Sequence, residues 1–542
     1  MENAEFIEEE LSNAQSQQNK MLAGTFWMTA GDFLSKILGA IYIIPWYAWM
    51  GSHADQANAV FSMGYNVYAL FLLISTAGIP VAISREVAKY NALGDTNMSY
   101  RLVRQMLVVM MGLGIVFAGI MYGLAPFFAA LSGGGKELIP VMKSLSLAVL
   151  IFPAMSVIRG YFQGLSNMKP YALSQLLEQF VRVIWMLLTA FMIMKIGSGN
   201  WVEAVTQSTT AAFIGMIAST VVLVLALMKQ GDIKKIALPG PSKQEIDAVK
   251  LLTQTLTQAI PFIVIGSAIQ IFKLIDQSTF PHLMRLIANY TDAQLMVFFS
   301  YFSANTDKLT MVLIGVATTL GGVSIPLVTS AYVKGKQKET GQLISYSLQL
   351  FAVFMLPVVV GMSILAREIY TIFYVAPSQL QLSLFVFAFL QSFLLASYAL
   401  LSPMLQALHH SRVAMKYFAL TLGLKLLLQV PAVLIYEAYG PMIATTIAFA
   451  FGAYLFLRKI QRVSQFSIKV TFRGILGIAV MTVFMALVVS LVKWLLPHQV
   501  VLTTVVAGGL GFAAYLVMAA KLGYLEKLLG DKGLTLRHKL HI

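Results

Sequence analysis

The 542-residue sequence predicts an all-α, polytopic membrane protein, and three observations predict it. Hydrophobic residues make up 58% of the chain and charged ones 11%, too little polar surface for a water-soluble body of this size to cover itself. The apolar runs exceed the roughly 20 residues with which a helix crosses about 30 Å of hydrocarbon, and none shows the short alternation of a membrane barrel. The loops between runs are alternately rich and poor in lysine and arginine, as in a chain that crosses a membrane many times.

Apolar windows between charged or Pro/Gly-rich breaks predict about fourteen spans, near 22–50, 58–83, 103–131, 138–160, 170–195, 202–228, 252–280, 304–333, 341–366, 379–408, 413–436, 441–458, 473–496 and 499–521. Residues 1–21 read as an acidic cytoplasmic tail with too few apolar residues to repay ordering. They lack a basic n-region and a small-residue cleavage site, so no signal peptide is expected to be removed. One set of loops holds Arg85, Lys89, Arg101 and Arg104, then Arg159 and Lys169, Lys229 to Lys250, Lys334 to Lys338, Arg412 and Lys416, and Arg458 to Arg473. The opposite set has only Lys136, Lys143, Lys195, Arg285, Arg367 and Lys493. Positive-inside counting places the first set, both termini and the basic tail 523–542 in the cytoplasm. The net charge of +15 then reads as a topology signal with attraction to anionic lipid heads, not as a nucleic-acid footprint. Trp46, Trp49, Trp201 and Trp494 are expected at the outer boundary and Trp27 at the inner one.

The polar stretch 229–251 divides an N-lobe of six spans (22–228) from a C-lobe of six (252–462), with two further spans in 463–522. The segment beginning at Phe162 registers on that beginning at Leu405, so Gln163 meets Gln406, Lys169 meets Arg412 and Arg182 meets Lys425. Lys36 likewise falls opposite Lys273, and Ile79-Pro80 opposite Ile325-Pro326. This is a parallel repeat, and folds of that kind place cargo where the repeats meet.

Nine ionisable residues lie inside the spans: Asp32, Lys36, Glu178, Arg182, Lys273, Asp276, Asp307, Lys308 and Lys425. Charge at membrane depth costs a few kcal/mol and normally faces a bundle interior or a wet cavity. Asp32 with Lys36, Glu178 with Arg182 and Lys273 with Asp276 stand three or four apart, on one helical face, where partners can neutralise each other as simple insertion devices. Lys425 has no acid within a turn of its own span. At about 1.5 Å per residue, Lys36, Arg182 and Lys425 all fall roughly 18 to 21 Å from the cytoplasmic starts of their spans, near the midplane. Five bases against four acids describe a mildly cationic chamber able to hold a diphosphate and release it again. Lys36, Arg182, Lys273, Lys308 and Lys425 are therefore the expected substrate-binding residues, with Asp32, Glu178, Asp276 and Asp307 as charge partners. Arg85 and Glu86 end the second span as snorkelling residues or as a cytoplasmic gate.

Other chemistry is not indicated. Cysteine is absent, the seven histidines include no HExxH spacing, and no Walker A loop is present, so neither a metal, a cofactor nor ATP is expected. Prolines at 45, 80, 126, 153, 261, 326, 357, 403 and 431 interrupt many spans, which a rocking carrier can use, although membrane helices are rich in proline anyway.

GTFWMTAGDFLSKILGAIYIIPW in the first span, AGIPVAISREVAKYNALGD after the second and RGYFQGLSNMKPYALSQLLEQFVRV from the fourth loop into the fifth span carry a resemblance. The chain resembles the polysaccharide-transport branch of the multidrug/oligosaccharidyl-lipid/polysaccharide exporter superfamily, and within it the MurJ-type and SpoVB-like lipid II flippases of Gram-positive bacteria. The resemblance implies two lobes with two extra C-terminal helices beside a central cavity. It also implies alternating access that moves an undecaprenyl-diphosphate-linked cell-wall precursor to the outer leaflet of the bacterial cytoplasmic membrane, with cell-wall synthesis machinery as a possible partner. The family's cationic cavity carries over to Lys36 and Lys308, although lysines here replace arginines usual in the family. No ion ligand carries over, because the eleventh and twelfth spans offer no acid pair. The alternatives are a flippase for a teichoic-acid or other polysaccharide precursor, a cation antiporter, which would want an acid-dominated cavity, and a glycan polymerase or ligase. For the last, the segment from Pro281 to Ser303 is poor material.

Overall fold

The computed structural model describes residues 38, 39, 41–76, 78–241, 253, 260, 261, 263–464, 466–497 and 499–524. The expectations for Trp27, Asp32, Lys36, residues 1–21 and residues 525–542 lie outside these residues. All regular structure among the described residues is helical.

The chain forms two compact units, divided between Ile263 and Val264. The first holds α1 (Ile43–Met50), α2 (Ala54–Thr76), α3 (Ile79–Ala92), α4 (Thr96–Gly123), α5 (Leu138–Gly164), α6 (Met168–Phe191) and α7 (Trp201–Gln230). The second holds α8 (Ala268–Ile287), α9 (Asn305–Val333), α10 (Gln337–Ile364), α11 (Gln379–Ala407), α12 (Ser411–Tyr436), α13 (Gly440–Ser464), α14 (Ile468–Leu495) and α15 (Val500–Lys521). Among the described residues, eleven helical stretches are long and apolar enough to cross a membrane, and Ser411–Ser464, one of them, joins two expected spans across a turn. The count is compatible with the fourteen spans predicted.

Local chemistry sets the helix starts. The Asp95 carboxylate accepts from the Met98 amide before α4, and Asn200 Oδ1 accepts from the Val202 and Glu203 amides before α7. Ser378 with Gln381 forms a capping box before α11. Each device satisfies amides that the first helical turn leaves without a partner.

Within the first unit α5 is central and packs on α2, α3, α4 and α7, while α6 pairs with α7. Within the second, α11 is central and packs on α9, α10 and α13, while α12 pairs with α13. The same neighbour scheme thus occurs in each unit. Glycine allows the paired helices to approach. A Cβ on Gly215 of α7 would stand 2.7 Å from the Glu178 carbonyl oxygen of α6, and one on Gly452 of α13 would stand 2.5 Å from the Thr421 hydroxyl of α12. Glu178 and Thr421 are equivalent in the register that pairs Arg182 with Lys425. Gly215→Val is therefore expected to lower stability by about 1–3 kcal/mol through overpacking. Gly423→Ala, which meets nothing within 4 Å, should leave the Tm of the purified protein unchanged or slightly raised. Equal Tm values for the two variants would contradict this packing.

The stretch between the seventh and eighth expected spans is structured, and two expectations are corrected. The segment from Pro281 to Ser303 is mostly helix: α8 continues through Pro281 to Ile287, and a Thr291–Gln294 capping box starts a further helix, Asp292–Phe299. A 2.5 Å pair between Arg285 and Asp292 ties the intervening turn. Trp46 is a core residue, not an interfacial one, with its indole N–H donating to the Ser208 hydroxyl at 2.8 Å. Trp494 stays 75% exposed, as an interfacial anchor would. Finally, Arg159 is not in a loop but buried near the end of α5.

Candidate functional site

Each unit brings buried charged residues of several helices together. In the first, α5 and α6 bring together Arg159, Glu178 and Arg182. Arg159 Nη2 donates to Glu178 Oε2 at 2.8 Å and to the Ser219 hydroxyl at 2.9 Å, and its Nε donates to the Ser174 hydroxyl at 3.1 Å. Arg182 Nη2 donates to the other carboxylate oxygen, Oε1, at 3.0 Å. The Glu178–Arg182 pair is thus the intrahelical one its spacing predicts, but two guanidiniums share the carboxylate, which leaves one positive charge in excess among the described residues. Tyr42, Tyr65 and Tyr68 surround Arg182. Arg182 Nε, the Tyr68 hydroxyl and the Trp185 indole nitrogen find no hydrogen-bond partner among the described residues. Buried donors without acceptors are costly, and their concentration around an excess positive charge suits an anionic group with several oxygens.

In the second unit the spacing misleads. Lys273 does not pair with Asp276 on its own helix. Its ammonium lies 2.8 Å from Asp307 Oδ2 on α9, while Asp276 Oδ1 takes a 2.6 Å bond from Lys425 on α12. Lys425 Nζ also donates to the Pro441 carbonyl at 3.0 Å and the Thr445 hydroxyl at 2.7 Å, both on α13. An ammonium has three protons, and all three are used. With its side chain 0% exposed, Lys425 here joins three helices and has no donor left for a ligand, in contrast to the binding role expected of it. Gln429, one turn on, donates to the Thr279 hydroxyl at 2.9 Å and repeats the α8–α12 link.

Asp307 is set by a π-helical segment, Ser300–Ala304, leading into α9. Such segments reset the helical register and recur at functional sites. Asn305 anchors this one, its amide donating to the Tyr370 hydroxyl at 2.8 Å while the Tyr374 hydroxyl donates to its carbonyl at 2.7 Å. Lys273, Asp307 and Asp276 border a cavity of about 50 Å³ that also touches Thr306, Gln391 and Ser392. That volume holds a few water molecules and excludes a sugar or diphosphate. Lys308 follows Asp307 on α9 and is half-buried.

Arg85 and Glu86 lie on α3. Arg85 is 64% exposed, with Nε 3.6 Å from the Glu86 carboxylate, which also receives Lys89 at 3.2 Å. Beyond α7, the short helix Asp232–Ala237 is fastened to the first unit: Tyr100 and Tyr161 donate to the Asp232 carboxylate at 3.0 and 2.8 Å. Hydrogen bonding to Asp232 also holds the Lys235 ammonium pKa above the usual lysine value. In the second unit Lys493 of α14 donates to Glu368 at 2.9 Å and to the Ile364 carbonyl at 2.6 Å. An apolar cavity of about 370 Å³ among α10, α14 and α15 is lined by residues such as Phe354, Val358, Met485 and Phe512.

Among solved structures, the fold is similar to a lipid II flippase MurJ in an inward closed conformation, with TM-score 0.63 at 14% identity over 91% of this chain and 98% of that one. It is also similar to an inward-facing multidrug resistance MATE family transporter of the MOP superfamily, with TM-score 0.60 at 15% identity over 79% of this chain and 96% of that one. Membrane-length helices in two units, with charge buried inside each, define a polytopic membrane protein with the fold of these transporters. Residues 21–332 match the family model for polysaccharide biosynthesis proteins, and the chain belongs to that family. It is 32% identical over 536 residues to the lipid II flippase MurJ of Bacillus subtilis (strain 168), covering 95% of this chain and 97% of that protein.

Proposed function

We propose that this chain is a flippase that carries an undecaprenyl-diphosphate-linked cell-wall precursor, lipid II, from the inner to the outer leaflet of a bacterial cytoplasmic membrane by alternating access, with both termini in the cytoplasm. The observation that carries the reading is the whole-length similarity to a protein named for that activity. Charge supports it. Among the described residues Arg159, Arg182, Lys273, Lys308 and Lys425 face Glu178, Asp276 and Asp307, a basic excess that suits a diphosphate and not a cationic drug. Arg182, with Tyr68 and Trp185 beside it, is the proposed phosphate contact of the first unit, and Lys273 and Lys308 are those of the second, reached in a state of the transport cycle that opens the small cavity beside Lys273. Lys36 completes the proposed set from outside the described residues. The groove among α10, α14 and α15 has the apolar lining that a polyprenyl chain requires.

Losing one charge-assisted contact to a phosphate costs about 1.5–3 kcal/mol, or roughly 10- to 100-fold in affinity. Arg182→Gln is therefore expected to fail in complementing a flippase-depleted strain at ordinary expression, while Arg182→Lys retains partial growth. The check is plating efficiency alongside membrane protein level. Full growth of Arg182→Gln and of Lys273→Gln, each at normal level, would contradict the assignment of these residues.

A further inference from the structure

The surroundings of the Lys425 ammonium have the make-up of an alkali-cation site. A carboxylate oxygen of Asp276, the main-chain carbonyl of Pro441 and the hydroxyl of Thr445 converge on Nζ at 2.6, 3.0 and 2.7 Å. All three are hard oxygen donors, the ligand type that simple hard cations take, and no nitrogen or sulfur intervenes. The second carboxylate oxygen of Asp276 is held by Thr445 at 3.4 Å, so the cage is braced around the charge and not folded onto it by chance of one contact. Charge balance points the same way. The neighbouring Lys273–Asp307 pair is internally neutral, which leaves Asp276 needing one monovalent cation and Lys425 supplying it. The polar cavity of about 50 Å³ touches Asp276 and Thr445, so water reaches the edge of the cage.

We propose that Lys425 is a tethered cation that permanently fills an alkali-metal site in the second unit. The wild-type protein then neither needs nor binds a free alkali ion there. Shortening the side chain uncovers a site for free Na⁺, held by Asp276, the Pro441 carbonyl and Thr445, with water from the adjacent cavity completing its shell.

The test is the Tm of the purified full-length protein in NaCl against choline chloride at equal ionic strength. Wild type is expected to melt at the same temperature in both. Lys425→Ala should melt lower than wild type in choline chloride and regain several degrees in NaCl, saturably. A ligand at about 100 times its Kd shifts the folding equilibrium roughly 100-fold. Lys425→Ala/Asp276→Asn should show no sodium response. A saturable, sodium-specific rise in wild type overturns the proposal, as does a Lys425→Ala protein that treats the two salts alike. Lys425→Ser is the second variant; failure of both variants to accumulate in membranes prepared throughout in NaCl also overturns it, since a refilled site should fold there.

Discussion

Lys425→Met is expected to lower the stability of the purified protein by about 3–5 kcal/mol in sodium-free buffer, the largest loss from any single substitution in the second unit. The magnitude follows from what stays behind. Asp276 would keep a buried carboxylate whose 2.6 Å partner is gone, and the Pro441 carbonyl and Thr445 would lose the donor that joins α12 to α13. An uncompensated buried charge costs more than the pair contributes, because the pair itself barely offsets its own desolvation. Lys425→Met/Asp276→Leu should therefore recover most of the loss, despite having lost both charges. Melting curves of the two variants beside wild type decide it. A double variant no more stable than the single one would show that the ion pair, and not the stranded carboxylate, sets the cost.

Glu178→Gln should have the corresponding effect in the first unit, again about 3–5 kcal/mol, since it strands two guanidiniums instead of one carboxylate. Arg159 keeps Ser174 and Ser219, but both are neutral, and Arg182 keeps no carboxylate among the described residues. Adding Arg159→Met to Glu178→Gln is expected to restore part of the stability, because one of the two stranded charges is removed. The measurement is the yield of folded protein after extraction together with its Tm. A Glu178→Gln protein as stable as wild type would mean that the two arginines are not neutralised through this carboxylate.

The spans were readable because run length and the charges between runs are properties of contiguous sequence. Even the turn from Glu437 to Gly440, where two spans nearly merge, falls where a short 3₁₀ segment, Glu437–Tyr439, separates α12 from α13. Pairing of buried charge was readable only where it stays on one helix, as for Glu178 and Arg182. The i, i+3 and i, i+4 rule identifies neighbours on one face and says nothing of the helix packed against that face. It therefore assigns Asp276 to Lys273, whereas each of these residues takes a partner from another helix. Lys425 gave the better hint: a lysine deep in an apolar span with no local acid must take one from elsewhere. Arg159 was missed because it stands near a span end and was counted with Lys169 among the loop charges. A signal was present in Ser156, Gly160 and Gly164, small residues at helical spacing on either side of it. A Cβ on Gly160 would come within 2.7 Å of the Pro80 carbonyl, so this turn of α5 is packed against α3 and is not a surface loop. The π-helical segment before Asp307 leaves no periodicity or spacing in the sequence, because it is set by the packing of Asn305 on Tyr370 and Tyr374.

The most direct test of the flippase reading is a leaflet-accessibility assay for the precursor. Cells depleted of this protein, and of any other flippase of the same cargo, are treated with a reagent that cleaves lipid II only at the outer surface. The expected result is that cleavage falls within a few generations while total lipid II rises, and that re-expressing wild type, but not Arg182→Gln, restores it. Undiminished outer-leaflet lipid II in the depleted cells would contradict the reading.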